Sequence, residues 1–296
     1  MLGRYHGIFG YSDDNWLLAP SLSALQDMII TCEEYAASHN LQFSTDPDPD
    51  KCKTKLMAFL KKPRELPRLK LCGTELPWVK KIKHLGNTIS NSLDGNQLDM
   101  KVKSAKYVDK NNTICQEFYF AHPKTKSTMN NIYNGHFTGS QLWRVDSKEY
   151  EKVISTYNRS VKIMFDLPWA THRFFIEPLT GSQHVSRILV KRYMSFIEKI
   201  KKSSKSSLKQ LLDVVKDDVR LTTGNNLRTI MMLTNKNTIG ELNTGNVDFD
   251  YYKVEEIDEW KVNIVKELIE IRSGELEVPG MEVDDLKEIL ECICTG

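Results

Sequence analysis

Two adjacent aspartates, Asp13 and Asp14, are the residues in this chain best suited to chemistry. They stand between strand-like segments 5–9 and 16–19, which predicts a β-hairpin with both carboxylates at its turn. Neighbouring strand residues point to opposite faces, so one carboxylate would face a ligand and the other would support it. Carboxylates suit Mg²⁺, but two-metal phosphoryl transfer needs them from more than one element. The pair also suits plain turn chemistry, so its surroundings decide.

A helix and further strands must position this turn. Ser21 is typical of an N-cap, and it precedes apolar residues spaced three and four apart, which predicts a helix to about Asn40. The proline-rich segment 46–50 predicts a loop. Residues 1–92 therefore predict an α+β unit, whose remaining short strands are expected at 55–60, 69–72 and 84–89.

After Gly95 the sequence changes to helical patterns. Segments 203–207 and 235–246 predict a turn and a boundary between helices. The expected helices cover about 96–120, 126–142, 147–166, 182–202, 206–217, 255–272 and 282–293.

Charge is distributed unevenly behind a net value of +2. Residues 1–50 carry one basic and eight acidic side chains, and 221–296 carry seven and sixteen. Between them, 51–130 has a net charge of +11 and 131–220 one of +7. A basic middle of this size suits a polyanion such as nucleic acid, and a lysine-rich solvated surface balanced by the acidic tail is the alternative.

Several classes of protein are not indicated. No stretch approaches the roughly 18 apolar residues of a membrane span, and the start of the chain does not read as a signal peptide. The six cysteines are scattered without zinc-site spacing, which predicts reduced thiols. We expect an intracellular protein, in nucleus or cytoplasm, with no membrane partner.

A family resemblance follows from six blocks in one order. The segment 10–21 resembles the Tyr/Phe-Ala-Asp-Asp block of reverse transcriptases encoded by non-LTR (LINE-type) retrotransposons, with Ser12 in place of the commoner Ala. The blocks that follow resemble later parts of the same proteins over nearly the whole chain, at 35–44, 51–59, 71–76 with 83–89, 167–173 and 223–228.

This resemblance implies a fold and an activity. It implies a partial right-hand polymerase palm at 1–92, a mostly helical thumb at 93–220 and a helical C-terminal extension at 221–296. The implied activity is RNA-directed DNA polymerase, a nucleotidyltransferase. Its partners would be an RNA template, a DNA primer duplex and a dNTP, with two Mg²⁺ as cofactors.

The resemblance also implies site residues. Asp13 would be a metal ligand with Asp14 as its partner, and Tyr11 would contact nucleic acid. The family's other essential aspartate lies on an upstream strand, whereas twelve residues precede Asp13 and none is acidic. We therefore expect an incomplete Mg²⁺ site and a fragment that is inactive alone.

Further contacts are implied along the chain, each with a plainer alternative. Lys53 and Lys55 would lie near the nucleotide, where a lysine can act as general acid, or else line a solvated strand edge. Leu85 and Gly86 would approach the primer, since Gly admits a close backbone, or else form an ordinary hairpin turn.

The basic residues of the helical part are likewise candidates for nucleic-acid contact, with a solvated helix surface as the plainer alternative. Lys103, Lys106 and Lys110 are expected on one helix face, opposite an apolar stripe of Leu98, Val102 and Ala105, where they could track a duplex backbone. His172 and Arg173 are candidate phosphate contacts. The nearby aromatic residues could stack on bases but are expected in the core: Trp143, Phe165, Trp169, Phe174 and Phe175.

Two alternatives to an enzyme remain open. One is a non-catalytic nucleic-acid-binding remnant of such a polymerase, and the other is an unrelated helical interaction protein with an incidental Asp-Asp turn. Salt-dependent binding to a primer–template duplex is expected of the remnant and of the enzyme, but not of the unrelated interaction protein. Primer extension is expected of the enzyme alone.

Overall fold

The chain forms two compact units, Met1–Gly95 and Asn96–Gly296. The computed structural model combines predominant helix with small antiparallel sheets, so the α+β class is confirmed. No helix in the described part of the chain is long and apolar enough to cross a membrane. The described residues are 7–48, 50–60, 65–92, 95–133, 137–181, 183–234, 236, 242, 259–272, 288–290 and 292.

Strands of the first unit pair two by two in antiparallel hairpins. Each hairpin closes with a loop of two residues, Ser12-Asp13, Cys72-Gly73 or Leu85-Gly86. Such short loops match the twist of the strands when the backbone enters the left-handed region. The pairs are β1 (Ile8–Tyr11) with β2 (Asp14–Leu17), β3 (Lys70–Leu71) with β4 (Thr74–Glu75), and β5 (Lys81–His84) with β6 (Asn87–Ser90).

The predicted first helix is confirmed as α1 (Leu22–Ser38). The Ser21 hydroxyl accepts a hydrogen bond from the Ala24 amide at 3.2 Å, which satisfies one of the free amides of the first turn. Ile29 is its main contribution to the core of the unit, which comprises Ile29, Cys52, Leu56, Leu69, Leu71 and Leu76 with partly buried neighbours.

Two predicted strands differ from the structure. Residues 55–60 form no strand, and Leu56 makes one isolated parallel bridge to Trp78. The segment 84–89 is not one strand because Leu85 and Gly86, with φ of 45° and 78°, turn the chain between β5 and β6. The apolar pattern runs through that turn without a break, because Leu85 occupies a position that usually carries Asn or Gly.

The regular elements of the second unit, within its described residues, are all helices joined by turns and loops. Ser147 caps one of its long helices, and His184 caps another by accepting from the Ser186 amide at 3.3 Å. The helices are α2 (Gly95–Glu117), α3 (Pro123–Tyr133), α4 (Lys148–Met164), α5 (Ile176–Thr180), α6 (Val185–Lys202), α7 (Ser206–Val215), α8 (Thr222–Thr234) and α9 (Glu259–Arg272).

Two helical regions of this unit differ from the predictions, and a third prediction lies largely outside the described residues. The single helix predicted at 126–142 is α3 followed by a separate 3-10 turn at Ser140–Leu142, since Gly139 adopts φ of 85° between them. Helix α8 was not predicted, because its Thr, Gly and Asn residues are typical of loops. The helix expected at 282–293 lies largely outside the described residues.

Helix α4 forms the centre of the main core of the second unit. Tyr150, Val153, Tyr157 and Val161 recur at three- and four-residue intervals and are each about 1% exposed. Residues of α9, among them Val265, belong to the same cluster. A second cluster joins α6, α7 and α8 through Val190, Tyr193, Met194, Ile197, Leu212, Leu227 and Ile230.

Candidate functional site

The Asp13-Asp14 pair lies at the tip of the β1–β2 hairpin, as predicted. Tyr11 pairs with Asp14 across the strands, so Ser12 and Asp13 form the loop itself. Ser12 takes the left-handed conformation, with φ of 54°, which the tight turn requires. Asp13 and Tyr11 are both exposed, with Tyr11 at 65%. The turn therefore presents its functional groups to solvent.

Asp14 connects this hairpin to the β5–β6 hairpin. Its Oδ2 atom lies 3.6 Å from Nδ1 of His84, the last residue of β5. The ring of Trp16 meets the same imidazole edge to face at 4.9 Å. These contacts place the Leu85-Gly86 turn next to the hairpin that carries both carboxylates.

Leu85 occupies an unfavourable conformation at the tip of that second hairpin. Its φ of 45° lies in the left-handed region, which costs about 1–2 kcal/mol for a residue with a Cβ atom. Half of its surface is exposed, so packing does not repay this cost in full. Gly86 follows with φ of 78°, and no atom within 4 Å excludes a side chain there, so the backbone conformation selects glycine. Backbone strain of this kind clusters at functional sites, which makes Leu85 a candidate contact residue.

The two carboxylates do not by themselves fit a two-metal site. Across the described ranges, no group of three or more His, Cys, Asp or Glu side chains is placed to hold a metal ion. Asp13 and Asp14 supply hard oxygen ligands from one hairpin only, whereas such a site draws on several elements.

Lys53 and Lys55 lie in an irregular segment rather than on the predicted strand. Lys53 is exposed and Lys55 is half-buried, while the nearby Lys51 forms an ion pair with Asp48 at 3.4 Å. Neither Lys53 nor Lys55 has a hydrogen bond or ion pair to the Asp13-Asp14 turn within the described residues.

The three lysines of α2 do not share one solvent-facing surface. Lys106 and Lys110 are exposed as predicted, but the side chain of Lys103 is only 12% exposed. Its Nζ donates to Oδ2 of Asp99 at 2.7 Å, and the same carboxylate oxygen accepts from the Trp143 indole at 2.7 Å. The prediction that Lys103 shares a solvent-facing side with Lys106 and Lys110 is therefore wrong, because its side chain faces the core.

The apolar stripe predicted for α2 was also misplaced. Leu98 and Val102 are only half-buried and Ala105 is exposed. The buried face runs instead through Met100, Tyr107, Asn111 and Ile114. Polar Asp99 and Asn111 lie on it, which is why the hydrophobic pattern alone gave the wrong face.

His172 ends the loop that follows α4, and Arg173 begins a 3-10 helix, Arg173–Phe175. His172 is exposed and its ring stands 4.2 Å from that of Phe174, while Arg173 is half-buried with its guanidinium 5.4 Å from the same ring. Burial is the main cause that lowers the pKa of His184, and the positive charges of Arg173 and Arg187 add to it. His172 thus remains available to a ligand, and Arg173 only in part.

The expectation that the aromatic residues lie in the core holds for Trp143, Phe165 and Phe175 but is wrong for Trp169. Its side chain is 70% exposed, and two cations of α4 approach its ring, Arg159 at 5.1 Å and Lys162 at 5.8 Å. The sequence shows the spacing of these two cations on the helix. Their contact with Trp169 depends on the conformation of the loop after α4, which the sequence does not show.

Two buried polar groups were missed by sequence reasoning. In the block 223–228, the fully buried Asn226 donates to the Trp143 carbonyl at 2.7 Å and accepts from the Val145 amide at 3.0 Å. His184 bonds Asn158 at 2.8 Å and Ser186 at 2.7 Å, and burial with nearby arginines lowers its pKa to about 4. Both residues serve the fold.

Comparisons with known proteins add no assignment to this geometry. No protein-family model matches the chain, and no curated protein or solved structure matches it either. The roles of Asp13, Asp14, Leu85 and the lysines therefore rest on their own chemistry.

Proposed function

We propose that this chain is a portion of an RNA-directed DNA polymerase of the non-LTR retrotransposon type. It contributes a carboxylate hairpin, a primer-contacting hairpin and a basic helical region that holds the duplex. The observation that carries the proposal is the 3.6 Å approach of His84 to Asp14, two residues seventy positions apart. A polymerase needs its primer terminus beside its metal-binding carboxylates, and this approach supports such an arrangement.

The surface of the β1–β2 hairpin supports a contributing role. Ile8, Phe9 and Tyr11 are between 47% and 65% exposed, although they lie on paired strands. A two-stranded hairpin is marginally stable alone, and exposed apolar strands favour addition of further strands. We propose that the missing carboxylate ligands come from such strands, which form a palm with this hairpin.

The exposed lysines of α2 support the duplex-holding role. Lys106 and Lys110 lie four residues apart on one side of a helix of 23 residues, in the most basic segment of the chain. A helix laid along a nucleic-acid backbone gains affinity from each lysine that displaces a counterion. Lys103 is excluded from this role by its pairing with Asp99.

The test uses an RNA template annealed to a DNA primer. We expect the chain to bind this duplex in the micromolar range at moderate salt, with affinity falling steeply as salt rises. With Mg²⁺ and dNTPs we expect no extension by the chain alone, because its carboxylates come from one hairpin. Failure to bind at low salt would favour a helical interaction protein. Template-dependent extension that Asp13→Asn abolishes would instead show a complete active site.

A further inference from the structure

An exposed tryptophan is held in place on the second unit. Lys162 donates from Nζ to the Trp169 carbonyl at 2.8 Å. The Leu167 amide donates to the Lys162 carbonyl at 2.8 Å, and the Thr171 amide to the Pro168 carbonyl at 3.0 Å. The backbone on both sides of Trp169 is thus fixed, while 70% of the residue surface faces solvent.

Positive charge surrounds the exposed ring. Arg159 and Lys162 lie three residues apart on α4, and their charged groups are 5.1 Å and 5.8 Å from the ring centre. Cations at this distance are attracted to the indole, by roughly 0.5–1 kcal/mol at an exposed site. That attraction orients the ring but leaves most of its surface uncovered. The open surface therefore combines an aromatic plane with two cations.

We propose that Trp169, Arg159 and Lys162 form a stacking site for single-stranded nucleic acid. The indole stacks on an unpaired base, and the two cations contact the phosphates on either side of it. A duplex keeps its bases stacked inside, so it offers the phosphates but not the base face. The site therefore prefers a single strand. It does not depend on the polymerase assignment, because the same chemistry recognises any unpaired strand.

The small apolar area beside Trp169 favours this partner over a lipid surface. An interfacial membrane site needs a broad apolar face. Here the neighbours of Trp169 are Pro168 and the small Ala170, and the exposed His172 follows closely. One indole among cations suits a ligand in which aromatic planes alternate with negative charges.

The test measures binding of the full chain to three labelled probes of matched length. These are a twelve-residue thymidine oligonucleotide, an abasic oligomer with the same phosphates, and a blunt RNA–DNA duplex. We expect Trp169→Ala to weaken binding of the oligonucleotide about tenfold or more, as for loss of one stacked base. Binding of the abasic oligomer and the duplex should change less than twofold. Trp169→Phe should restore most of the affinity.

Two further variants separate stacking from charge. Arg159→Ala should weaken binding of both single-stranded probes, because it removes a phosphate contact and keeps the Lys162 hydrogen bond to the Trp169 carbonyl. Tyr35→Ala is the matched control, since Tyr35 is 61% exposed and stacks on His39 at 4.1 Å beside Glu33 and Glu34. It should leave all three affinities within twofold.

Three results would overturn the stacking site. One is that Trp169→Ala loses affinity equally for the oligonucleotide and the abasic oligomer. Another is no oligonucleotide binding at low salt. The third uses phosphatidylserine vesicles as a fourth probe. If Trp169→Ala loses binding to these vesicles and keeps its binding to the oligonucleotide, Trp169 belongs to a membrane surface. If the unaltered chain binds the oligonucleotide but not the duplex, this result contradicts the proposed polymerase role and leaves the stacking site standing.

Discussion

Asp14 and His84 join two hairpins of the first unit through a contact of 3.6 Å between carboxylate and imidazole. The Asp14 side chain is 57% exposed, so this contact contributes little to folding and leaves the carboxylate open to a ligand. The contact lies beside the Leu85-Gly86 turn, and it links the carboxylate turn to the proposed primer-contacting turn.

Replacement of the carboxylates should therefore have little effect on stability. We expect Asp13→Asn and Asp14→Asn each to change the free energy of unfolding by less than about 0.5 kcal/mol, as is usual for exposed pairs. Urea denaturation of the full chain measures this. A loss above about 1.5 kcal/mol for either variant would mean that the pair is structural turn chemistry.

Leu85→Asn should make the protein more stable but a weaker binder. Asparagine tolerates the left-handed backbone, so we expect a gain of about 1 kcal/mol in unfolding free energy. Loss of the exposed leucine should weaken duplex binding. Cys72→Asn is the control, because Cys72 has φ of 49° at the same position of another two-residue turn and is exposed. Cys72→Asn should raise the unfolding free energy by a similar amount and leave the duplex affinity unchanged. If both variants lose the same duplex affinity, Leu85 is not a primer contact.

We expect the buried lysine of α2 to affect stability and its exposed lysines to affect duplex binding. Lys103→Ala should destabilise the protein by about 3 kcal/mol, since it leaves the buried Asp99 without its cation. Lys106→Ala and Lys110→Ala should have no measurable effect on folding. Each should reduce the slope of log affinity against log salt by about 0.9. Thermal unfolding and salt titrations of duplex binding distinguish the two groups, and an unchanged slope would contradict the duplex role of α2.

Local signals predicted part of this fold, whereas distant contacts decided the rest. The Asp13 turn and the Ser21 cap could be predicted because the residues that form them are adjacent in sequence. Lys103, by contrast, resembles Lys106 in sequence, and its burial depends on Trp143, forty positions away. Exposure of Trp169 likewise depends on how its loop meets α4.

Asn226 should be essential to the second unit. Its amide satisfies the backbone of Trp143 and Val145 at once, so Asn226→Ala should lower the unfolding free energy by about 2–4 kcal/mol. Arg228→Ala, an exposed change on the same helix, should stay within about 0.5 kcal/mol. Similar losses in both variants would contradict the role given to the Asn226 amide.

His184 should make stability depend on pH. Its pKa is about 4 in the folded protein and about 6.5 when unfolded, so between these values the unfolded chain binds the extra proton. Stability should thus fall as pH drops from about 6.5 to about 4, by up to about 3 kcal/mol from this residue. Urea denaturation of the chain and of His184→Gln across this range isolates the effect. An unchanged pH dependence in the variant would show that other groups cause it.

The most direct test of the polymerase account is a photo-crosslink from the primer terminus. A DNA primer with 4-thiothymidine at its 3′ end is annealed to an RNA template, bound to the full chain at low salt, irradiated and mapped by peptide mass spectrometry. We expect crosslinks within 81–90, around the Leu85-Gly86 turn, that weaken in Leu85→Asn. Crosslinks confined to other parts of the chain would contradict the proposed polymerase role.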